Sequence, residues 1–461
     1  MKKQRGRTVR RRFAVTALIA ASVFAVVFTT VASAPAERGA QSAKHKGKKH
    51  KKKKRGKQQP AAAATSPTSE LTRAVFVGNN WDGTADILTF DPPPGGGAPG
   101  EFRRVARLNI IPDRDERMQE IALAPDKLAF YLAIRQAVGE GNDQFVDDMY
   151  SSNDGKLLVV SRPSFADVIG MDIASGQIVW RFPMTGYRAD HMAVSPDGKN
   201  VAVSDSTGNV VHILDVATGQ EVGMFPSGDS PHENNYSQDG SLIYHASIGR
   251  VYTPTDNPEF DTSKGDARFQ IVDAATNQIV TGPIYMKDKF AEVGRDGMSN
   301  AVRPMALSPD ESRMYFQVSF FHGFAEYDFA QNKITRIADL PNEVPNLPRE
   351  QYLLDSAHHG IAINDSGTTL CAAGTMSDYV AMVSEKDFTD YDILHLGHKP
   401  YWSTTSDDGE NCFVSWSGDD AISAISYRTR QEVARIDVGD HPQRVRTGVV
   451  RTDWAASQPG G

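Results

Sequence analysis

The chain has few cysteines, and beyond its first 57 residues it lacks an excess of positive charge. Two cysteines occur among 461 residues, which excludes a scaffold built from several disulfides. The first 57 residues carry a formal charge of +17, from 18 basic residues and Glu37, so the remainder carries −24. Because nucleic-acid binding depends on neutralising phosphates with Lys and Arg, we expect no nucleic-acid partner for this acidic body.

The sequence also lacks the compact motifs of common enzyme classes. It contains no G-x-S-x-G, no H-E-x-x-H, no C-x-x-C and no phosphate-binding glycine loop. Any chemistry therefore has to come from side chains that the fold brings together.

Residues 1–36 have the features of an export signal. A basic stretch ends at Arg12, an apolar run extends from Phe13 to Phe28, and small residues follow up to Ala36. The apolar run is shorter than the roughly 20 residues of a membrane-spanning helix. We therefore predict cleavage after Ala36, with an uncleaved anchor as the alternative, and an extracytoplasmic body that is secreted or attached to the cell envelope.

Residues 37–72 form a predicted disordered linker that is rich in lysine. The dense charges from Lys44 to Lys57 repel one another, and no apolar face offsets the entropy cost of ordering the segment. Two roles remain open for it. It is either a solvated spacer or an attachment to anionic cell-wall polymers or lipid headgroups.

The body, residues 73–450, is a repeat array. Six stretches share an apolar strand, an Asp/Gly turn and a second strand, as in "DHMAVSPDGKNVAVS". Their turn aspartates are separated by 43, 42, 71, 55 and 43 residues, which fits one four-stranded blade per repeat with insertions. The turn aspartates are Asp154, Asp197, Asp239, Asp310, Asp365 and Asp408.

The two ends of the array complete each other. Residues 73–91 supply middle strands without a first strand, and residues 441–450 supply a first strand without successors. Joined together they make a seventh blade and leave no open sheet edge at the junction. We therefore predict an all-β, seven-bladed β-propeller of four-stranded blades, closed by the C-terminal strand joining the N-terminal blade, with residues 451–461 as a tail.

The phrases "HMAVSPDGKNVAVS" and "PHENNYSQDGSLIYHA", followed by D-x-A-T, resemble the YVTN-type bacterial β-propellers. These are relatives of the WD-repeat and quinoprotein-dehydrogenase-like propellers. The resemblance covers residues 73–450 and implies a seven-bladed ring and an extracytoplasmic location. It leaves the function open, because this fold hosts binders, lactonases, amine dehydrogenase subunits and scaffolds.

Four insertions interrupt the period, at residues 113–145, 248–268, 283–302 and 340–357. The first has a helical apolar rhythm between Pro125 and Gly139. Loops on a rigid scaffold often carry recognition, and they also tolerate insertions that have no role.

In a propeller the innermost strand of each blade begins at the mouth of the central channel, so the residues there converge. We expect these positions to be Asp147 and Asp148, Asp190 and His191, His232 and Glu233, Arg303 and Pro304, His358 and His359, and Tyr401 and Trp402. Histidines are enriched among them.

Two interpretations of the histidines stay open. In the first, His191, His232 and His359 or its neighbour His358 bind a divalent metal, zinc or copper, with Asp148 or Glu233 as oxygen ligand. Such a metal would activate water or polarise a carbonyl. In the second, which we favour, each copied repeat inherits a histidine that hydrogen-bonds the nearby backbone.

Arg303 is predicted to bind a carboxylate or phosphate through its guanidinium. Tyr401 and Trp402 either stack on a sugar or aromatic ring, or pack the seventh blade. Cys371 and Cys412 occupy nearly equivalent strands of adjacent blades, and we expect two buried thiols rather than a bridge.

The predicted function is a binding or scaffold module, with an unknown protein or small-molecule ligand at the channel mouth and the inserted loops. The alternative is an enzyme that uses the histidine-rich mouth. It would be a metal-assisted lactonase-type hydrolase or an amine or quinoprotein-type oxidoreductase.

Overall fold

The computed structural model describes residues 70–92, 99–251, 258–352, 354 and 356–459. Their strands form seven four-stranded sheets, and every strand pairing within a sheet is antiparallel. The predicted leader and most of the predicted linker, including Lys44 to Lys57, lie outside the described residues. Within the described ranges, no helix has both the length and the apolar character needed to cross a membrane.

Each sheet is one blade, and its strands are given from the innermost to the outermost. Blade 1 consists of β28 (Pro442–Arg451), β1 (Leu71–Asn79), β2 (Thr84–Asp91) and β3 (Glu101–Asn109). Blade 2 consists of β4 (Met149–Ser151), β5 (Leu157–Arg162), β6 (Asp167–Asp172) and β7 (Gln177–Pro183). Blade 3 consists of β8 (Ala189–Val194), β9 (Asn200–Asp205), β10 (Val210–Asp215) and β11 (Glu221–Pro226). Blade 4 consists of β12 (Pro231–Tyr236), β13 (Leu242–Ser247), β14 (Phe269–Asp273) and β15 (Gln278–Ile284).

The last three blades follow the same order. Blade 5 consists of β16 (Val302–Leu307), β17 (Arg313–Val318), β18 (Gly323–Asp328) and β19 (Lys333–Asp339). Blade 6 consists of β20 (Ile361–Ile363), β21 (Thr369–Gly374), β22 (Tyr379–Ser384) and β23 (Tyr391–Leu394). Blade 7 consists of β24 (Pro400–Thr405), β25 (Asn411–Trp416), β26 (Ala421–Ser426) and β27 (Gln431–Asp437).

The innermost strands contact one another in sequence around a closed ring, from β4 to β24 and back through β28. The ring closes where β28 pairs with β1, from Leu71 opposite Arg451 to Val77 opposite Val445. The predicted seven-bladed β-propeller, closed by the C-terminal strand on the N-terminal blade, is therefore confirmed.

The turn aspartates fix the hairpins that the repeat pattern indicated. In five repeats a serine two positions earlier donates its hydroxyl hydrogen to the aspartate, as Ser195 does to Asp197 over 2.7 Å. In blade 6 Asn364 replaces the serine, and its side-chain oxygen accepts the backbone N–H groups of Thr368 and Thr369. A side chain thus satisfies the turn backbone in all six repeats.

The first insertion forms two helices, α1 (Arg114–Leu123) and α2 (Pro125–Ala137). Pro125 at the first position and Gly139 after the end are the usual boundaries of a helix, so the predicted helical rhythm is confirmed. The other helices are α3 (Met286–Ala291) in the third insertion and α4 (Thr452–Ser457) after β28. Short 3₁₀ helices occur at Pro163–Phe165, Pro258–Ser263, Arg349–Gln351 and Thr375–Ser377.

The expectation of two free thiols is wrong. Cys371 of β21 and Cys412 of β25 form a disulfide between blades 6 and 7, with their α-carbons 6.5 Å apart. Equivalent second strands of adjacent blades pack face to face, and this brings the two residues within the distance that a disulfide can span.

Candidate functional site

The channel mouth is formed by residues at or just before the start of each innermost strand. Its center is a cluster of three histidines, His191 on β8, His232 on β12 and His359 just before β20. One ring nitrogen of each lies within 4.8 Å of those of the other two. Three blades therefore contribute to one cluster, as the predicted strand register implied.

The three imidazoles are buried and lie close together, tilted or edge-on to one another. The ring centroids of His191 and His232 are 3.7 Å apart, and that of His359 is 5.9 Å and 5.7 Å from them. Burial, helped by the nearby Arg444 guanidinium, lowers the pKa of all three well below the ordinary value. The rings are therefore neutral at neutral pH, which is the form that binds a metal.

Carboxylates surround His191 on two sides. Its Nδ1 lies 2.7 Å from Glu233 Oε2, and its Nε2 lies 3.6 Å from Asp190 Oδ1 and 4.0 Å from Asp147 Oδ2. Burial raises the pKa of Asp147 to about 7 and that of Glu233 to about 8. Asp147, Asp190 and His191 form a second group whose ligand atoms lie within 4.8 Å of one another.

Arg444 of β28 shares this space. Its Nη2 donates to His191 Nε2 and lies 3.9 Å from Asp147 Oδ2, and its guanidinium carbon lies 3.7 Å from the center of the Trp402 ring. The side chain is fully buried. Arg444 therefore supplies a positive charge at the point where the carboxylates and imidazoles meet.

Several buried polar atoms of the cluster have no hydrogen-bond partner within the described part of the chain. They are Asp147 Oδ2, Asp190 Oδ1, His232 Nδ1, His359 Nδ1, and Nε and Nη1 of Arg444. Buried polar atoms are nearly always paired in folded proteins, so such a concentration points to a ligand, an ion or ordered water.

A cavity of about 60 Å³ borders the cluster and is capped by the first insertion. Its polar lining includes the three histidines, Asp147, Arg188, Arg303 and Tyr401, and its apolar lining includes Phe130, Ile134 and Ala137 of α2 and Ile248 and Val251 of the second insertion. The cavity is thus polar on the side of the ring and apolar on the side of the insertions.

The cap is attached to the ring by side-chain contacts. The rings of Phe130 and Tyr187 stack with centroids 4.2 Å apart, and the Tyr187 hydroxyl donates to Asp126 over 2.8 Å. On the far side, Lys399 of the loop before β24 forms an ion pair with Glu140 at 2.7 Å. Blades 2, 3 and 7 therefore hold the first insertion over the channel mouth.

Three of the predicted site residues point elsewhere. Asp148 accepts two hydrogen bonds from Arg446, at 2.9 and 2.7 Å, and ties blade 2 to blade 1. Trp402 lies beneath Arg444 and Arg446 rather than in the cavity lining. His358 lies 3.1 Å from the Tyr379 hydroxyl, outside the histidine cluster.

Arg303 and Tyr401 line the cavity. The guanidinium of Arg303 donates to Ser319 Oγ over 3.1 Å and to the Leu354 carbonyl. The Tyr401 ring lies 4.3 Å from the ring of His359. Burial raises the pKa of Tyr401 above its ordinary value, so its phenol stays protonated.

The prediction missed Arg444, Arg188 and the cap helix α2 as parts of the site. Arg444 could have been found by aligning "HPQRV" with "KPYWS", because Gln443 and Arg444 then match Tyr401 and Trp402. The position of α2 over the channel mouth had no sequence signal, because a helical rhythm does not tell which end of the ring an insertion covers.

Comparisons with known proteins give no family. No family model matches the chain, and no curated protein matches it. Among solved structures, a chain of "Kuenenia stuttgartiensis Hydrazine Synthase" is similar, with 14% sequence identity and a TM-score of 0.49. The match covers 67% of this chain and 96% of that chain. A similarity of this size says nothing about the site.

Proposed function

We propose that the protein is an extracytoplasmic ligand-binding propeller of the YVTN type, and that its capped channel mouth holds a divalent transition metal, zinc or copper. The observation that carries this proposal is the convergence of His191, His232 and His359 from three blades. Three neutral imidazoles that face a cavity are a donor set suited to either metal.

The second sphere of the cluster supports a metal. Metal-bound histidines usually place their other ring nitrogen against a carboxylate, which fixes the orientation of the ring. His191 has this arrangement, with Glu233 at Nδ1 and with Nε2 toward Asp147 and Asp190. The two unpaired oxygens of these aspartates supply additional negative charge for a cation.

The Arg444 side chain has to move away from His191 Nε2 before this metal can bind through His191. Its guanidinium donates to the same Nε2, so the arginine and the metal compete for one nitrogen. We expect Arg444→Met, which removes the guanidinium and its charge and keeps an unbranched apolar side chain, to bind zinc more tightly than the wild type.

The metal is tested by elemental analysis of the purified protein. We expect stoichiometric zinc or copper in the wild type and its loss in His359→Gln, because one nitrogen ligand is removed. His358→Gln is the matched control, since His358 is the adjacent buried histidine and contacts Tyr379 instead of the cluster. Metal-free wild-type protein that takes up neither metal on titration would refute the proposal, as would equal loss from both variants.

A hydrolase is a second candidate, because the cavity leaves room beside the histidines. A bound metal would supply Lewis-acid chemistry there. Asp147 lies at the cavity wall beside His191, where its carboxylate is placed to accept or donate a proton. Lactone hydrolysis that requires the metal and is absent from His359→Gln separates this candidate from a pure binding module.

Export and attachment to a bacterial envelope belong to the same proposal. The disulfide between Cys371 and Cys412 supports an oxidising compartment, since such bonds are rare in the cytosol. The charged segment from Lys44 to Lys57 is the candidate for attachment to anionic wall polymers or lipid headgroups.

A further inference from the structure

Three of the four insertions surround one cavity beside the channel mouth. Its volume is about 530 Å³, within the range of small-molecule sites. Its walls come from the second, third and fourth insertions and from the loop between β17 and β18. Residues of these four segments are, in that order, Asp261, Asp296, Arg349 and Phe320. We call this space the insertion cavity. Insertions that converge on one space favour a shared role in recognition.

Contacts between the insertions hold the wall around Phe320. Arg349 of the fourth insertion forms an ion pair with Asp261 of the second, with 2.9 Å between Nη2 and Oδ1. The guanidinium carbon of Arg349 lies 3.9 Å from the center of the Phe320 ring, and Lys264 Nζ lies 4.9 Å from it. Both insertions are thereby fastened to the loop between β17 and β18.

The backbone of Phe320 is strained. Its φ of +64° lies in the left-handed region, where a bulky side chain is an outlier. Such conformations persist where the surroundings enforce them, and they cluster at ligand sites. The cations of Lys264 and Arg349 supply this constraint and hold the Phe320 ring at the cavity wall.

The charged groups of the insertion cavity are balanced in sign. Its cations are matched in number by its carboxylates, although the body of the protein is strongly acidic. The cations are Lys264, Lys287 and Arg349, and the carboxylates are Asp261, Asp288 and Asp296. A ligand of one charge therefore finds no excess of the opposite charge. A hydroxyl group both donates and accepts, so a ligand with many hydroxyl groups can use cations and carboxylates together.

Some of these groups are available to a ligand. Lys287, Asp288 and Asp296 are exposed, and none of them forms an ion pair with another part of the described chain. Apolar side chains, among them Met298 and Ala301, line the same cavity and can contact the C–H groups of a sugar ring. The lining thus combines free donors and acceptors with apolar surface.

We propose that the insertion cavity binds a neutral saccharide of one or two rings, and that Lys287 and Asp296 hydrogen-bond its hydroxyl groups. This site is separate from the metal. Ile248 lines both cavities, so a bound saccharide lies beside the channel mouth, but the three histidines line the other cavity.

The test uses saturation-transfer NMR of the full chain with sugars that differ in charge. Glucose, maltose and cellobiose are the neutral probes, and glucuronate and glucosamine are the charged ones. We expect a neutral probe to bind with a dissociation constant in about the millimolar range, and glucose to bind more tightly than glucuronate or glucosamine. The proposal is overturned if no neutral probe binds up to about 50 mM, or if a charged probe binds more tightly than glucose.

Variants locate the binding. Asp296→Ala and Lys287→Met each remove one hydrogen-bonding group, so each should weaken binding by about tenfold. Asp437→Ala is the matched control, because Asp437 is an exposed carboxylate on β27 of blade 7, outside the cavity lining. Equal affinity in all three variants overturns the assignment to this cavity.

The metal content of the same variants separates this proposal from the metal site. Asp296→Ala should keep the zinc or copper of the wild type while losing saccharide affinity. Melting temperatures establish that the variants fold, and Lys287→Met carries the test if Asp296→Ala does not. Saccharide affinity that is lost in His359→Gln and kept in Asp296→Ala and Lys287→Met would place the sugar at the histidines and overturn the proposal.

Discussion

Two buried histidines of this propeller have pKa values shifted in opposite directions. His212 of β10 has Nδ1 at 2.7 Å from Glu221 and Nε2 at 3.5 Å from Asp205. Burial opposes the charged form, but the hydrogen bonds to the two carboxylates raise its pKa. His245 of β13 has only neutral partners at its ring nitrogens, Asn234 and Ser227, and burial lowers its pKa to about 3.

We predict that His212→Gln costs more stability in acid than in base. A raised pKa means that the folded protein holds the proton more tightly than the unfolded chain. The contribution of His212 to the free energy of unfolding is therefore complete below the unfolded-state pKa of about 6.5. It is lost as pH rises through the folded-state pKa. The difference in free energy of unfolding between wild type and variant should be larger at pH about 5.5 than at pH about 8.5, by about 1 kcal/mol.

His245→Gln provides the opposite control. Because the pKa of His245 is lowered, the contribution of His245 to the free energy of unfolding is complete above pH about 6.5. It declines as pH falls toward the folded-state pKa of about 3. The loss of unfolding free energy caused by His245→Gln should therefore be smaller in acid than in base. Denaturant titrations of the three proteins at both pH values measure this, and the same pH trend in both variants would contradict the assignment.

At the scale of single elements, the sequence predicted strands and turns better than contacts between them. The Asp/Gly pattern located the hairpins because it has a local physical cause, the satisfaction of the turn backbone by a side chain, which is the turn aspartate in five repeats and Asn364 in blade 6. The helix between Pro125 and Gly139 was predicted from another local signal, its apolar rhythm between a proline and a glycine. Its position over the channel, and the bridge between Cys371 and Cys412, depend on which strands face each other across blades.

The disulfide is predicted to stabilise the packing of blades 6 and 7. The bridge closes a chain segment of 41 residues, which restricts the unfolded state and corresponds to about 2 to 4 kcal/mol. We expect Cys371→Ala/Cys412→Ala to unfold at lower denaturant concentration by this amount. Reductant should destabilise the wild type and leave the double variant unchanged, and free thiols in the unreduced, denatured wild type would contradict the bridge.

At the scale of the whole molecule, the repeat count and the incomplete ends predicted the ring, but not what its center contains. Residues 73–91 and 441–450 indicated a shared blade, and β1 and β28 form it. The histidine positions were also predictable from the register. The contact of Arg444 with His191 was not predictable. It joins the first and third blades across the channel, and a local sequence pattern carries no information on a contact between residues so far apart in the chain.

Closure by β28 is predicted to be essential for folding. Arg446 of β28 pairs with the buried Asp148 of blade 2, and losing one partner of a buried pair typically costs about 3 to 5 kcal/mol. A chain that ends at Asp440 also leaves the edge of β1 unpaired. We expect this chain to aggregate or to lack a cooperative thermal transition. A chain that ends at Ser457 keeps β28 and α4 and should melt like the full chain, and a cooperative transition in both would contradict the prediction.

The late position of β28 has a consequence for how the protein is made. The innermost strand of blade 1 pairs with a strand that precedes it by most of the chain, as the contact between Thr72 and Thr452 illustrates across 380 residues. During synthesis or translocation, the other six blades emerge before the strand that completes the first. Contacts between such distant residues form slowly. The histidine cluster can therefore reach its final surroundings, including Arg444, only after nearly the whole chain has emerged.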